Sequence, residues 1–251
     1  MNRTTASGTG FAMLPAQGGG PAPTLLLLAA SSADTLSTDS FFRVGRLLYA
    51  RGWNVVSQDL PCHGADRRAG EPAELEGWAA RCAAGEDIVA AFRRRVNDVV
   101  EHLMAAGVAD PARLAAAGIS RGGFMAFQAA AGNLRIRAVA GFAPVTDLLA
   151  LREFAGQEAN PLVRRLALLN TVAALAGPPG RAAWITIGDA DERVGTDKAV
   201  AFAHALMAAG HEAGLANAVT LRVLPTPGHT SFPDWHDQAA DWLGNQITGK
   251  E

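Results

Sequence analysis

Three short segments carry side chains that could act as a nucleophile, a base and an acid. Gly118-Ile119-Ser120-Arg121-Gly122 has the spacing G-x-S-x-G. Chemistry at such a serine needs a strand before it and a helix after it. The backbone is then bent into a strained turn, the glycines let strand and helix approach, and the hydroxyl stands at the end of the sheet. A serine hydroxyl is a weak nucleophile without a base, so a histidine must reach it. His229, in Pro225-Thr226-Pro227-Gly228-His229-Thr230-Ser231-Phe232, follows the last strand-length apolar run and a Pro/Gly loop. The other five histidines fit less well: His102, His204, His211 and His236 belong to helical stretches or their ends, and His63 to a loop considered below. The base in turn needs a carboxylate to fix its tautomer and stabilise the imidazolium. Gly188-Asp189-Ala190-Asp191-Glu192-Arg193-Val194 supplies one after the preceding strand. Asp191 is the first choice. Asp189 is its local rival, a loop-stabilising aspartate on the other reading, and Asp147 is a distant third.

These segments need a frame to bring them together, and the chain alternates in the way such a frame requires. Strand-length apolar runs at Thr24 to Ala30, Trp53 to Asp59, Arg113 to Ile119, Ile136 to Phe142, Ala182 to Gly188 and Ala218 to Leu224 are separated by stretches with helical period. Helices are expected at Asp39 to Ala50, Asp87 to Ala106, Arg121 to Ala131, about Asp197 to Ala209 and about Pro233 to Ile247. In the second of these, Ile88, Phe92, Val96, Val99, Val100 and Leu103 share a face, with Asp87 placed to cap it and Gly107 to end it. Buried strands alternating with helices imply right-handed crossovers and a mostly parallel sheet covered on both faces. One domain over residues 1–251 is expected. Residues 1–23, rich in Gly, Pro, Ser and Thr, form an edge segment with at most a hairpin around Phe11 to Leu14. Residues 144–180 interrupt the alternation. There Asn160 and Pro161 start an apolar helix, LVRRLALLNTVAAL, which reads as a small cap over the site or as a longer crossover.

Composition narrows the classes of function. The chain has 251 residues, 49% hydrophobic and 18% charged, with a net charge of −2. It can bury a sizeable core, and it has no basic footprint for nucleic acid or a membrane surface. Arg93-Arg94-Arg95 reads as a solvated helix face. Cys62 and Cys82, the two cysteines, make no disulfide framework and read as free thiols. The N-terminus lacks the apolar core of a signal peptide, and the longest strongly apolar run, Leu25 to Ala30, is too short to span a bilayer. A cytoplasmic protein is therefore expected.

The sequence from about Thr24 onward resembles the α/β-hydrolase superfamily, in particular the branch of dienelactone hydrolases and prolyl oligopeptidases. The resemblance rests on GISRGG around Ser120, GDADERV around Asp191, PGHTSF around His229 and DLPCHGAD from Asp59. It implies a three-layer α/β-hydrolase fold with the chain order Ser, Asp, His. In the Asp59 segment Cys62 stands where these families usually have glycine, and the resemblance gives Asp59 and His63 structural roles. Two departures stand out. The strand before the first helix usually ends in His-Gly, whereas here it ends Ala29-Ala30-Ser31-Ser32. The oxyanion hole implied by the family would then be the backbone N–H of Arg121 and that of Ser31 or a neighbour. The second departure is Arg121 itself, where the prolyl-oligopeptidase branch often has an aromatic. Its guanidinium reads either as a group for a substrate carboxylate or as a surface salt-bridge partner.

The expected activity is a serine hydrolase that cleaves a carboxylic ester or lactone through an acyl-enzyme, without metal or organic cofactor. A peptidase, thioesterase or acyltransferase on the same triad is the alternative within the fold. A non-catalytic member that binds a ligand is the alternative outside it. The expected partner is a small-molecule acyl substrate. A homodimer is common in such enzymes, though no residue pattern here points to one.

Overall fold

The computed structural model describes residues 2–177, 179–215 and 218–249; the expected segment 144–180 therefore includes one residue, Pro178, outside the described residues. The described chain forms one eight-stranded sheet: β1 (Asn2–Thr4), β2 (Gly10–Leu14), β3 (Ala22–Leu28), β4 (Asn54–Ser57), β5 (Ala109–Ile119), β6 (Ile136–Phe142), β7 (Ala182–Gly188) and β8 (Val219–Leu224). The spatial order is β1-β2-β4-β3-β5-β6-β7-β8. From β4 to β8 all neighbours are parallel, while β1 and β2 form an antiparallel hairpin that adds to the edge of β4. The mostly parallel sheet flanked by helices is thus the fold expected from the sequence, edge hairpin included.

The strand order decides where a site can form. After β3 the chain moves outward to β4; after β5 it moves the other way to β6. The carboxyl ends of β3 and β5 therefore flank the crevice where the connections diverge, which is where open α/β sheets bind ligands. Ser120 follows β5 and Ser31 lies three residues beyond β3.

Alternation along the strands feeds two cores. Leu25 and Leu27 of β3 pack with Val55, Ala115, Ala117 and Trp235 on one face, and Leu26 and Leu28 with Val56, Ala116, Phe124 and Phe127 on the other. α2 (Asp39–Ala50) and α9 (Pro233–Thr248) cover the first face. α4 (Ile88–Ala105), α5 (Arg121–Gly132) and α8 (Thr196–Glu212) cover the second. The Asp87 side chain caps α4 through the Ala90 N–H at 2.8 Å, as its position suggested.

Several local expectations are corrected. β5 starts at Ala109 rather than Arg113, because Ala109 pairs with Ala22 before a register irregularity that accommodates Pro111. Two further helices, α1 (Ser32–Ser37) and α3 (Glu74–Ala83), fill the loops after β3 and β4. The arginine triplet is not a solvated face. Only Arg94 is exposed: Arg93 bonds the Gln128 carbonyl and side-chain oxygens, and Arg95 pairs with Asp66 at 2.7 Å. The single apolar helix expected from Pro161 is broken into α6 (Pro161–Leu166), a 3-10 turn and α7 (Val172–Ala176). Ala167 at the break is extended (ψ 139°), which lets the Leu168 N–H reach the Thr146 carbonyl at 2.8 Å. Leu162, Val163, Leu166, Val172 and Leu175 join the core under α5 and α8. The turn carrying Glu153 lies in the same segment.

α3 is locked to the loop after β4 by Arg81, which is 7% exposed. Its guanidinium meets Asp66 Oδ2 at 2.7 Å, the Asp66 carbonyl at 2.7 Å, and both oxygens of Glu71 at 2.6 and 3.0 Å. The hydrogen bonds from Arg81 hold the Glu71 carboxyl down at about 2. Removing one member of a buried ion cluster strands the others, so Arg81→Ala is expected to destabilise the fold by about 3 kcal/mol or more. A urea unfolding midpoint equal to wild type would contradict this.

Candidate active site

Strain marks the turn after β5. Ser120 has φ 52° and ψ −116°, a conformation that non-glycine residues rarely hold. Three backbone hydrogen bonds over-determine it. The Ser120 N–H donates to the Phe142 carbonyl at 2.9 Å, and the Ser120 carbonyl accepts from Phe124 and Val145, each at 3.1 Å. The flanking glycines are required by contact. A Cβ at Gly118 would overlap the Gly122 carbonyl, and one at Gly122 would overlap the Leu28 carbonyl. Strand, turn and helix therefore fit as the spacing around Ser120 predicted, with the hydroxyl raised at the crevice.

A continuous hydrogen-bonded chain leads from that hydroxyl. His229 Nε2 lies 3.0 Å from Ser120 Oγ, and His229 Nδ1 lies 2.8 Å from Asp191 Oδ2. Asp191 is 2% exposed, and its second oxygen accepts the N–H groups of Arg193 at 3.1 Å and Val194 at 3.3 Å. A carboxylate held by two backbone donors is fixed in direction, so its other oxygen faces the imidazole. Nδ1 then carries the proton and Nε2 is the acceptor that faces the serine.

The rival aspartates have other uses. Asp189 Oδ1 accepts the Thr226 N–H at 3.0 Å, which ties the loop after β7 to the loop that carries His229. Asp147 pairs with Lys198 Nζ at 2.9 Å. The cysteines and two of the other histidines are buried. Both cysteines are buried and free, and burial pushes each thiol up to about 12, so neither offers a thiolate. Burial lowers His63, and lowers His236 to about 4, which keeps both neutral.

The loop after β3 supplies amides. The Ala30 N–H donates to Thr35 Oγ1 at 3.1 Å, and the Ser32 N–H to Asp59 Oδ1 at 2.7 Å. Between them the Ser31 N–H has no protein acceptor among the described residues, while the Ser31 side chain caps α1 through Asp34. Arg121 is the first residue of α5, where a helix N–H has no intrahelical partner. Asp59 is the brace: Oδ1 holds Ser32 and Oδ2 holds the Ala65 N–H at 2.8 Å. His63 is held by the Pro61 carbonyl at 2.8 Å. Cys62 has φ 60°, a left-handed conformation in which the glycine usual at that position would be unstrained.

Around Arg121 lie groups that the motifs did not reveal. Arg121 Nη1 is 3.1 Å from Glu74 Oε2. Arg193 Nη2 is 2.8 Å from Glu153 Oε1. Glu74 opens α3, and Glu153 lies in the 3-10 turn after β6. Neither has a sequence signal, because both reach the site only through the packing of those short elements against each other.

This strained serine at a parallel-sheet switch point, joined through a histidine to a buried aspartate, defines an α/β hydrolase of the serine-hydrolase kind. The chain belongs to the prolyl oligopeptidase family, whose model matches residues 95–250. No curated protein matches it in sequence. Among solved structures it is similar to the Pyrococcus horikoshii acylaminoacyl peptidase, with a TM-score of 0.72 and 14% identity over 100% of this chain and 42% of that one. The Porphyromonas gingivalis dipeptidyl peptidase 4 gives a TM-score of 0.69 and 14% identity over 98% of this chain and 35% of that one. The acetyl xylan esterase 1 of Thermoanaerobacterium gives 0.63 and 16% over 93% and 78%. The chain thus spans about two fifths of the length of the peptidases. Among the described residues, no helix is long and apolar enough to cross a membrane.

Proposed function

We propose that Ser120, His229 and Asp191 are a catalytic triad and that the protein hydrolyses a carboxylic ester or lactone through an acyl-enzyme. The observation that carries this reading is the unbroken chain Ser120 Oγ, His229, Asp191, at 3.0 and 2.8 Å. Ser120 Oγ attacks the acyl carbonyl while His229 Nε2 takes its proton. The N–H groups of Arg121 and Ser31 receive the developing oxyanion. His229 then protonates the leaving alcohol, and a water molecule repeats the sequence on the acyl-enzyme. An ester asks least of this machinery, because its carbonyl is more electrophilic than an amide's and an alkoxide departs more readily than an amide anion. Peptide hydrolysis on the same residues is the second reading, favoured by the family to which the chain belongs.

The test compares p-nitrophenyl esters with p-nitroanilides of the same acyl groups, using wild type, Ser120→Ala and His229→Ala. Ester turnover that falls by about a thousandfold or more in both variants supports the triad, as expected for residues that act as a unit. Full turnover in either variant removes it. Anilide turnover as efficient as ester turnover moves the substrate to peptides.

A further inference from the structure

Arg121 has fewer partners than its burial calls for. Its side chain is 21% exposed, and its one ion pair among the described residues, to Glu74 at 3.1 Å, is made with a side chain that is itself 56% exposed. The Nε atom is buried and has no partner among the described residues. Arg81 provides an internal comparison. There a buried guanidinium meets four acceptor atoms at 2.6 to 3.0 Å. Arg121 thus keeps a buried Nε donor without a partner among the described residues, one residue from the candidate nucleophile.

The carboxylates near Arg121 are unequally committed. Arg121 interacts with Glu74, Arg193 and Glu153. Glu153 is already held by Arg193 at 2.8 Å and lies 3.6 Å from Arg152. The neighbouring His63 is buried and neutral. Two arginines thus face two carboxylates, and the one carboxylate paired with Arg121 is the solvent-exposed one, Glu74.

The direction of the pairing separates acyl group from leaving group. The leaving group must stand beside His229, which protonates it and comes from the loop after β8. Glu74 and His63 come from the chain after β4, across Ser120 from β8 in the strand order. A substrate group that reaches Arg121 on that side belongs to the acyl part.

We propose that Arg121 docks a carboxylate carried on the acyl part of the substrate, displacing Glu74, so that the preferred substrates are monoesters of dicarboxylic acids. This rests on the hydrolase reading above and narrows its substrate class. The incoming carboxylate takes two parallel N–H donors of the fork, which lysine or an amide cannot supply.

The experiment measures kcat/KM for mono-p-nitrophenyl succinate, glutarate and adipate against neutral p-nitrophenyl esters of the same carbon number. In the wild type at least one anionic ester is expected to exceed its neutral counterpart by about tenfold to a hundredfold, the contribution of a charge-assisted hydrogen bond. Arg121→Gln should bring that ratio close to one, chiefly through KM. Arg121→Lys should restore only part of it. Glu74→Gln, which removes the internal competitor, should raise the ratio a few-fold. Serine-dependent turnover that favours no anionic ester, or a preference that survives Arg121→Gln, overturns the assignment of Arg121 and leaves the triad standing. Absence of serine-dependent turnover with every ester in the set overturns the hydrolase reading, and this inference with it.

Discussion

Asp191→Asn is expected to lower kcat for an ester substrate by on the order of a thousandfold to ten-thousandfold, with KM nearly unchanged. The reason is the direction of one proton. As a carboxylate, Asp191 Oδ2 accepts from His229 Nδ1 at 2.8 Å, while Oδ1 is fixed by the N–H groups of Arg193 and Val194. An amide at this position keeps its oxygen on those two backbone donors and turns its NH2 toward Nδ1. The imidazole must then carry its proton on Nε2, where it can no longer accept one from Ser120. Asp189→Asn provides the contrast. Its amide oxygen can still accept the Thr226 N–H, so a loss of less than about tenfold is expected, the size of one neutral hydrogen bond or less. Steady-state kinetics of both variants on one ester decide the matter. If Asp189→Asn is the more damaging change, the acid of the triad has been misassigned.

Much of the site could be read from the chain because its chemistry is local. Gly118 is dictated by contacts within five residues and Gly122 by the end of β3, and the motif carries both in sequence. His229 and Asp191 were singled out by chain order, since each follows the carboxyl end of its own strand, and they lie 2.8 Å apart. The fold was equally legible: strands buried on both faces are continuous apolar runs, and Leu25 to Leu28 has no other reading. What remained hidden depends on packing between distant segments. α3 does carry an apolar period, with Leu75, Trp78 and Cys82 buried, but Gly77 and the preceding Pro72 disguise it. Gly77 is required because a Cβ there would press on Cys62 and the Pro72 carbonyl, a contact that no local pattern records. Pairing of amides in the β3 loop is hidden in the same way. Thr35 takes the Ala30 N–H and Asp59 takes the Ser32 N–H through contacts that no local pattern records.

Gly122→Ala joins these two kinds of information, and its expected effect is large in both stability and rate. The added methyl would overlap the Leu28 carbonyl and press on the Ala29 Cα. These are backbone atoms at the end of the central strand β3, so no side-chain rotation relieves the clash. Either α5 moves away from the sheet or the end of β3 moves away from α5. Overpacking of this kind costs roughly 1–3 kcal/mol or more, and a thermal unfolding midpoint lowered by several degrees is expected. The fraction that still folds should be impaired as well. Leu28 and Ala29 lead directly into Ala30 and Ser31, and α5 begins with the Arg121 N–H. Any shift that relieves the clash therefore changes the distance between the two proposed oxyanion donors. Loss of one such donor costs about a hundredfold to a thousandfold in kcat, so a displaced pair should lower kcat per folded molecule by at least tenfold. Titration of active sites with a fluorophosphonate separates the two effects, because it counts competent molecules independently of their turnover. A variant with wild-type kcat per labelled site and reduced stability would mean that the gap between β3 and α5 matters for the fold alone, and that the oxyanion is held by donors other than the N–H groups of Arg121 and Ser31.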